Sequence, residues 1–439
     1  MDWELLGSSP SFESGDPPAA PVKAADTPRS HRYAVRIIGI SVNLILSGNA
    51  TFRAAALNFI LMEQEVSPSF WTIRSWVLRL GLYELQRAKP RASDWVFIVD
   101  ATIAMGQHKA LVILGVRLEQ LRRRGFNLGH QDVVTLGLKI LTRCDGLTVH
   151  AQLEAAAREV GVPRSVVSDA GSDVKKGVSL FQQEHEEVDW NYDLTHKLAR
   201  LLEKELGAAS WWADFLTRAG KCRQGCQQTP WSHLLPPAQR TKARWFNLEP
   251  LIRWALVVIA YGRQENLSEV KFITLFGWLS AFEEPLQEAR QMVRMMKAVC
   301  AIIKDKGLSA GNVGLCEKRI LEIGLAQKAQ SFGKKILEFL REQAAQAKPG
   351  EALLGSSDVI ESVFGKFKSV VERSPLKAIT SMVLMIAALT SDRTPVVVRE
   401  AMETVGMADV NAWFEANGQP TLLAKRRSAL KDNKGTLSV

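Results

Sequence analysis

The chain has 439 residues, 46% of them hydrophobic and 23% charged, with a formal net charge of +10 at pH 7. That length exceeds one ordinary core, so roughly two to four domains are expected, and the near-average composition excludes a collagenous, disulfide-scaffolded or wholly disordered chain. The basic excess favours polyanionic partners, nucleic acid being the commonest.

Five cysteines (Cys144, Cys222, Cys226, Cys300 and Cys316) are too few, and odd in number, for a disulfide framework, and read as reduced thiols of a cytosolic protein. Cys222 and Cys226 with His233 lack a fourth ligand at a regular spacing, so incidental thiols are a better reading than zinc. No basic stretch followed by an apolar segment opens the chain, and apolar runs such as Met382–Leu389 are too short to span a bilayer. The expectation is a soluble, cytoplasmic protein without a membrane partner, nucleoid-associated if prokaryotic.

Residues 1–30 are rich in Ser, Pro, Ala and Asp without apolar periodicity and read as a disordered leader. Residues 31–90 are helical in pattern. Thr51 caps one helix (FRAAALNFILM), and Pro68-Ser69 opens a second through SFWTIRSWVLRLGLYEL. Together they form a helix-turn-helix pattern, in which Arg53, Ser69, Trp71, Thr72, Arg74 and Arg79 would meet phosphates or base edges. The plain alternative is a helical hairpin, because Trp76, Leu78, Leu80 and Leu82 are core-like.

From Asp94 the period changes. Val96–Val99, Ala110–Leu118 and Val133–Leu141 read as three strands, Thr148–Val160 as an amphipathic helix, Ser165–Ser168 as a strand, Asp173–His185 as a helix and Val188–Asp193 as a fifth strand. This is the order of the ribonuclease-H-like α/β fold, and it places the first part of a catalytic core at residues 91–200. Residues 201–350 lose the strand signal and read as an all-helical insertion rich in tryptophan. Residues 351–400 return to the core, with helices at Ser356–Val371 and Ala378–Leu389, and 401–439 form a helical tail that frays at its end.

Two of these strands end in an acid: Asp100 in IVDAT and Asp169 in VSDAG, 69 residues apart. A carboxylate pushed out of a hydrophobic sheet is costly unless paired, hydrogen-bonded or metal-bound. A third acid, Glu361, lies in IESVFGKFK, with Lys368 two helical turns on and so on the same side.

In this order the segments resemble a DDE transposase of the retroviral-integrase superfamily, across residues 31–400. YDLTHK adds to the resemblance, since Asp193-Leu194-Thr195-His196 is similar to the Cys/Asp-x-x-His signature of hAT-like transposases. The 192 residues between Asp169 and Glu361 also suit families with a helical insertion there. The Tyr and Arg that one bacterial transposase family carries before its Glu are absent; Leu354 and Ser357 stand at those positions. The resemblance implies catalytic Asp100, Asp169 and Glu361 holding two Mg²⁺ ions, with Mn²⁺ as a substitute. Asp100 would bridge the two, Asp169 would hold one and Glu361 the other. It also implies Asp193, His196, Lys197 and Lys368 as accessory residues.

The bland readings are specific. Asp100 and Asp169 could be strand-end turn formers, and Glu361 a solvated helix residue with Glu372 nearby as a rival. Asp193 and His196 could be structural. Arg122, Arg123 and Arg124 form a surface charge run or a phosphate contact. Trp211, Trp212 and Trp231 are core residues or platforms for an unpaired base. The expected function is cut-and-paste transposition of double-stranded DNA, acting on terminal inverted repeats and target DNA as a homodimer or larger synaptic complex. A domesticated DNA-binding protein and a metal-dependent nuclease without strand transfer are the rivals.

Overall fold

The computed structural model describes residues 26–62, 67–101, 108–239, 245, 248–265, 268–371, 379–418, 420 and 422–432. Most of the expected leader and Glu372 therefore lie outside the described residues. Residues 26–30 are tethered: the Arg29 N–H donates to Glu403 Oε1 at 3.0 Å and Asp26 pairs with Arg399 at 3.6 Å.

Three helices precede the sheet. α1 (Val35–Leu46) ends before Asn49, whose φ of 59° in the left-handed region turns the chain. α2 (Phe52–Leu61) starts where the Thr51 side chain accepts from the Ala54 N–H at 3.0 Å. α3 (Phe70–Gln86) starts where Ser69 Oγ accepts from the Thr72 N–H at 3.2 Å. α3 buries Ile73, Trp76, Val77, Leu78, Leu80 and Leu82, more apolar surface than a helix lying on the outside needs.

β1 (Trp95–Ala101) and β2 (Lys109–Arg117) pair antiparallel, and α4 (Leu118–Arg124) follows β2 directly. β3 (Val134–Leu141) pairs antiparallel with β2. α5 (Gly146–Val160), capped by Asp145, crosses to β4 (Ser165–Ser168), which lies parallel to β1. α6 (Ser172–Glu184) crosses to β5 (Asp189–Tyr192), parallel to β4. The order is β3-β2-β1-β4-β5, a mixed sheet at the centre of an α/β core. Each expected strand appears within two residues of its place, because β-branched runs flanked by turns are a strong local signal.

The next elements are all helical: α7 (Leu194–Gly207), α8 (Ser210–Cys226), α9 (Leu248–Gln264), α10 (Val270–Phe276), α11 (Glu283–Lys306), α12 (Ala310–Ile323) and α13 (Gln327–Ala344). They share their own core, which includes Leu198, Trp212, Phe215, Met295, Phe332 and Leu340. α13 covers the β5 edge, where Gln343 Oε1 accepts from the Tyr192 N–H at 2.9 Å and Gln346 Oε1 from Asn191 Nδ2 at 3.2 Å. Such cover closes a strand edge to other chains. Buried Arg164 ties the same edge down through Asp189 and through Glu351 at 2.8 Å.

The chain then returns to the sheet. Leu308 and Leu353 form an isolated bridge and the Leu194 N–H donates to the Gly355 carbonyl at 2.9 Å, which delivers α14 (Asp358–Val371) beside β1. The helix expected at Ala378–Leu389 begins instead as a 3-10 turn at Ser381–Leu384, capped by Thr380, and continues as α15 (Met385–Thr390). α16 (Pro395–Thr404), α17 (Met407–Asn417) and α18 (Leu422–Asp432) follow.

Alternation splits the sheet into two faces. Trp95, Phe97 and Val99 of β1 and Val166 of β4 pack against α5 and α6. Val96, Ile98 and Val167 face the other side, in a core shared with α1, α3, α14, α15 and α16. The N-terminal helices are therefore built into this layer. α3 packs along α15, and a Cβ on Gly81 would collide with the Leu384 carbonyl. No helix among the described residues is long and apolar enough to cross a membrane, and none of the five cysteines is disulfide-bonded.

Candidate active site

β1 and β4 are parallel neighbours whose last paired residues are Val99 and Ser168. The next residue of each is an acid, so Asp100 and Asp169 stand side by side at the same sheet edge. Both share the parity of Ile98 and Val167, which directs them to the layer that holds α14. There α14 buries Val359, Ile360, Val363, Phe364 and Phe367 against the sheet, leaving Glu361 in its first turn at the margin.

The electrostatics record the convergence. Burial first, then repulsion from Asp169 and Glu361, pushes the Asp100 carboxyl up to about 7, against the Ala101 N–H that donates to it at 2.6 Å. The Glu361 carboxyl is raised, chiefly by desolvation and further by Asp193 and Asp358, with His196 opposing. Like charges held together without enough donors, these groups gain from a proton or a cation.

Asp193 is the fixed point of the site. Fully buried, it caps α7 by accepting from the His196 N–H at 2.7 Å, and the same Oδ1 lies 3.0 Å from His196 Nδ1. Its Oδ2 accepts from the Ser357 N–H at 2.5 Å, Ser357 Oγ at 2.9 Å and Ser356 Oγ at 3.3 Å. Burial alone would raise this carboxyl, yet the His196 and Ser357 donors hold it below its ordinary range. With both oxygens engaged, Asp193 is an organiser that joins α7 to the segment leading into α14.

His196 carries the link outward, its Nε2 lying 3.4 Å from Glu361 Oε1. Burial works against its charge, but Asp193, Glu361 and Asp169 together lift the imidazole to about 9. It is thus a cation at neutral pH, among three carboxylates.

Other residues position the site and have no local sequence signal. Asp358, at the start of α14, pairs with Lys304 of α11 and accepts from Thr195 Oγ at 3.4 Å. The partners of Ser356, Ser357 and Lys304 lie far off in sequence; only the Ser-Ser-Asp run ahead of an amphipathic helix hinted at a cap.

The remaining candidates are scattered. Ser69 and Thr72 serve the α3 N-cap. Arg74 donates to Ser381 Oγ at 3.2 Å, and Arg79 donates to the Met402 and Val405 carbonyls, so both act in packing α3 rather than facing outward as expected. Arg53 stays exposed, with its guanidinium over the Phe70 ring at 5.2 Å, and Trp71 is 63% exposed. On α4, Arg123 pairs with Glu119 and Arg124 with Asp132, while Arg122 is exposed. Lys197 lies over the Tyr192 and Phe339 rings and Lys368 over Phe364. Trp212 is buried against Trp211, Phe215 and Trp245, which removes it as a base platform; Trp211 and Trp231 are half-buried in the same aromatic core. Cys222 and Cys226 are buried, the first pushed up to about 12 by burial and then by Cys226.

No protein-family model and no curated protein matches the sequence. Among solved structures, the chain is similar to the Drosophila P element transposase strand transfer complex. The TM-score is 0.43 and the identity 13%, over 83% of this chain and 93% of that one. An overlap that loose assigns no activity.

Proposed function

We propose that the chain is a DDE-type DNA transposase on a ribonuclease-H-like core, with Asp100, Asp169 and Glu361 as its metal-binding carboxylates and double-stranded DNA as its substrate. The observation that carries this reading is the placement of Asp100 and Asp169 one residue beyond Val99 and Ser168, the last pair of parallel β1 and β4, with α14 bringing Glu361 to the same edge. Asp100, its carboxyl raised to about 7, and Asp169 offer hard oxygen donors that suit Mg²⁺ or Mn²⁺, and Glu361 would complete the set from α14. Bound there, two such ions would supply Lewis-acid stabilisation of a phosphoryl transfer.

The chain's own residues do the rest. β1 and β4 fix two carboxylates on rigid strand ends, and Asp193 fixes the approach of α14 through Ser356 and Ser357. His196 holds Glu361 by charge, limiting its rotamers. Arg53, Arg122 and Lys368 are the basic groups placed to meet phosphates, with Lys197 nearer the site. α1–α3 remain the proposed helix-turn-helix region, recognising element ends through α2 and the exposed start of α3. Two ends processed together call for a homodimer or larger assembly.

The test is cleavage by the purified full chain of duplexes carrying the DNA that flanks its own gene, with Mg²⁺ or Mn²⁺. Asp100→Ala and Asp169→Ala should abolish cleavage and leave binding nearly intact, because basic residues supply most phosphate affinity. Joining of the cut 3′ end to a second duplex separates a transposase from a nuclease. Full cleavage by either variant contradicts the proposal.

A further inference from the structure

A second cluster of ligating side chains lies on the other face of the sheet. On α5, His150 and Glu154 are one turn apart on one side of the helix. Glu184 ends α6 and His185 follows it. The His150 Nε2, Glu154 and Glu184 ligand atoms all lie within 4.8 Å of one another. His150 Nε2 is 3.2 Å from Glu184 Oε1 and 3.9 Å from Glu154 Oε1. His185 Nε2 meets Glu154 Oε1 at 2.8 Å.

We infer that His150, Glu154 and Glu184 form a zinc site that straps α5 to the end of α6, with His185 as the partner that orients Glu154. Two observations separate it from an ordinary surface charge cluster. His150 Nε2 is buried and, although two carboxylates are near, has no hydrogen-bond partner, an arrangement that costs free energy unless a ligand fills the direction its lone pair takes. The helices are also held close, since a Cβ on Gly177 would meet the Val149 side chain and the Gly146 carbonyl. The donor atoms are therefore set at a fixed span by backbone packing.

One imidazole nitrogen and two carboxylate oxygens suit zinc, which takes N and O ligands in fours and accepts water as the fourth. A carboxylate hydrogen-bonded to a second histidine is the usual outer support of such a ligand. The site lies across the sheet from α14 and is separate from the acidic strand ends. It clamps the two helices that cover the back of β1 and β4, and so steadies the strand ends carrying Asp100 and Asp169.

The experiment titrates Zn²⁺ alone into chelator-stripped full-length Asp100→Asn/Asp169→Asn protein, so that the first site does not compete. One ion per chain and a rise in melting temperature of about 3 °C or more are expected. Glu184→Gln, at an exposed helix end where folding is safe, should weaken binding at least about tenfold, and His150→Ala should abolish it. Co²⁺ in place of Zn²⁺ should show ligand-field absorption with no thiolate charge-transfer band. No uptake, uptake undiminished in Glu184→Gln, or a thiolate band pointing to Cys222 and Cys226 would each overturn the site.

Discussion

The His196 imidazole and the Glu361 carboxylate stand 3.4 Å apart although 165 residues separate them in the chain. Asp193, one helical turn before His196, holds the other ring nitrogen at 3.0 Å and anchors the two serines just ahead of α14. A single buried carboxylate thus gives the largest support to the His196 charge and fixes the segment leading into the helix that carries Glu361.

Asp193→Asn should therefore act twice. It removes the charge that keeps His196 near 9, so the imidazole titrates at lower pH, which NMR of the ring protons reports. It also weakens several charge-assisted hydrogen bonds at once, at a cost of about 2 kcal/mol or more in urea unfolding. An unchanged His196 titration would mean that another group protonates it.

The Asp100 carboxyl gives a pH dependence of definite sign. Its folded value of about 7 lies above its ordinary 3.8, so between these the folded chain binds more protons than the unfolded one. Its contribution to stability is fully present below the unfolded value and is lost as pH rises through the folded one. His196, raised to about 9, acts in the same direction at higher pH, its contribution being lost as pH rises from 6.5 through that value. In chelator, Asp100→Asn should gain stability on the wild type at neutral pH and lose that advantage near about pH 4. A stability difference independent of pH would contradict this.

Glu361→Gln keeps size and hydrogen bonding but removes a charge at the rim of the site. It should fold, bind DNA and cleave at least about a hundredfold more slowly. Glu372→Gln is the control: if it loses cleavage and Glu361→Gln does not, the third ligand is Glu372.

Arg79→Ala should destabilise the protein by about 1–3 kcal/mol, because two carbonyls at the C-terminal end of α16 lose their donor. Arg53→Ala, on an exposed side chain, should leave unfolding unchanged while weakening DNA binding. Deleting residues 31–85 would strip α1 and α3 from the layer they share with α14 and α15. The expected outcome is an unfolded or aggregated chain, read by circular dichroism, rather than a folded core with altered end preference.

These cases mark what the sequence could disclose. Val96–Val99 and Ser165–Ser168 were legible as strands, and the acids after them as an exception to burial, because both signals are local. The Asp193 cap was visible as part of a motif, and it starts α7 at Leu194. The carbonyl partners of Arg79 are hidden in sequence, because a basic residue on a helix looks the same whether its acceptor is a phosphate or a carbonyl 323 residues away. Ser357 was overlooked for the same reason, its partner lying 164 residues upstream. His150 and Glu154 share a helix face in plain view, yet Glu184 joins them only once α5 and α6 pack.

The most direct test of the central claim is anomalous diffraction from crystals of the full chain soaked in Mn²⁺. The account predicts manganese between the Asp100 and Asp169 carboxylates, within reach of Glu361, and its loss in Asp100→Asn crystals. Manganese absent from that sheet edge, or still there in the variant, would contradict it.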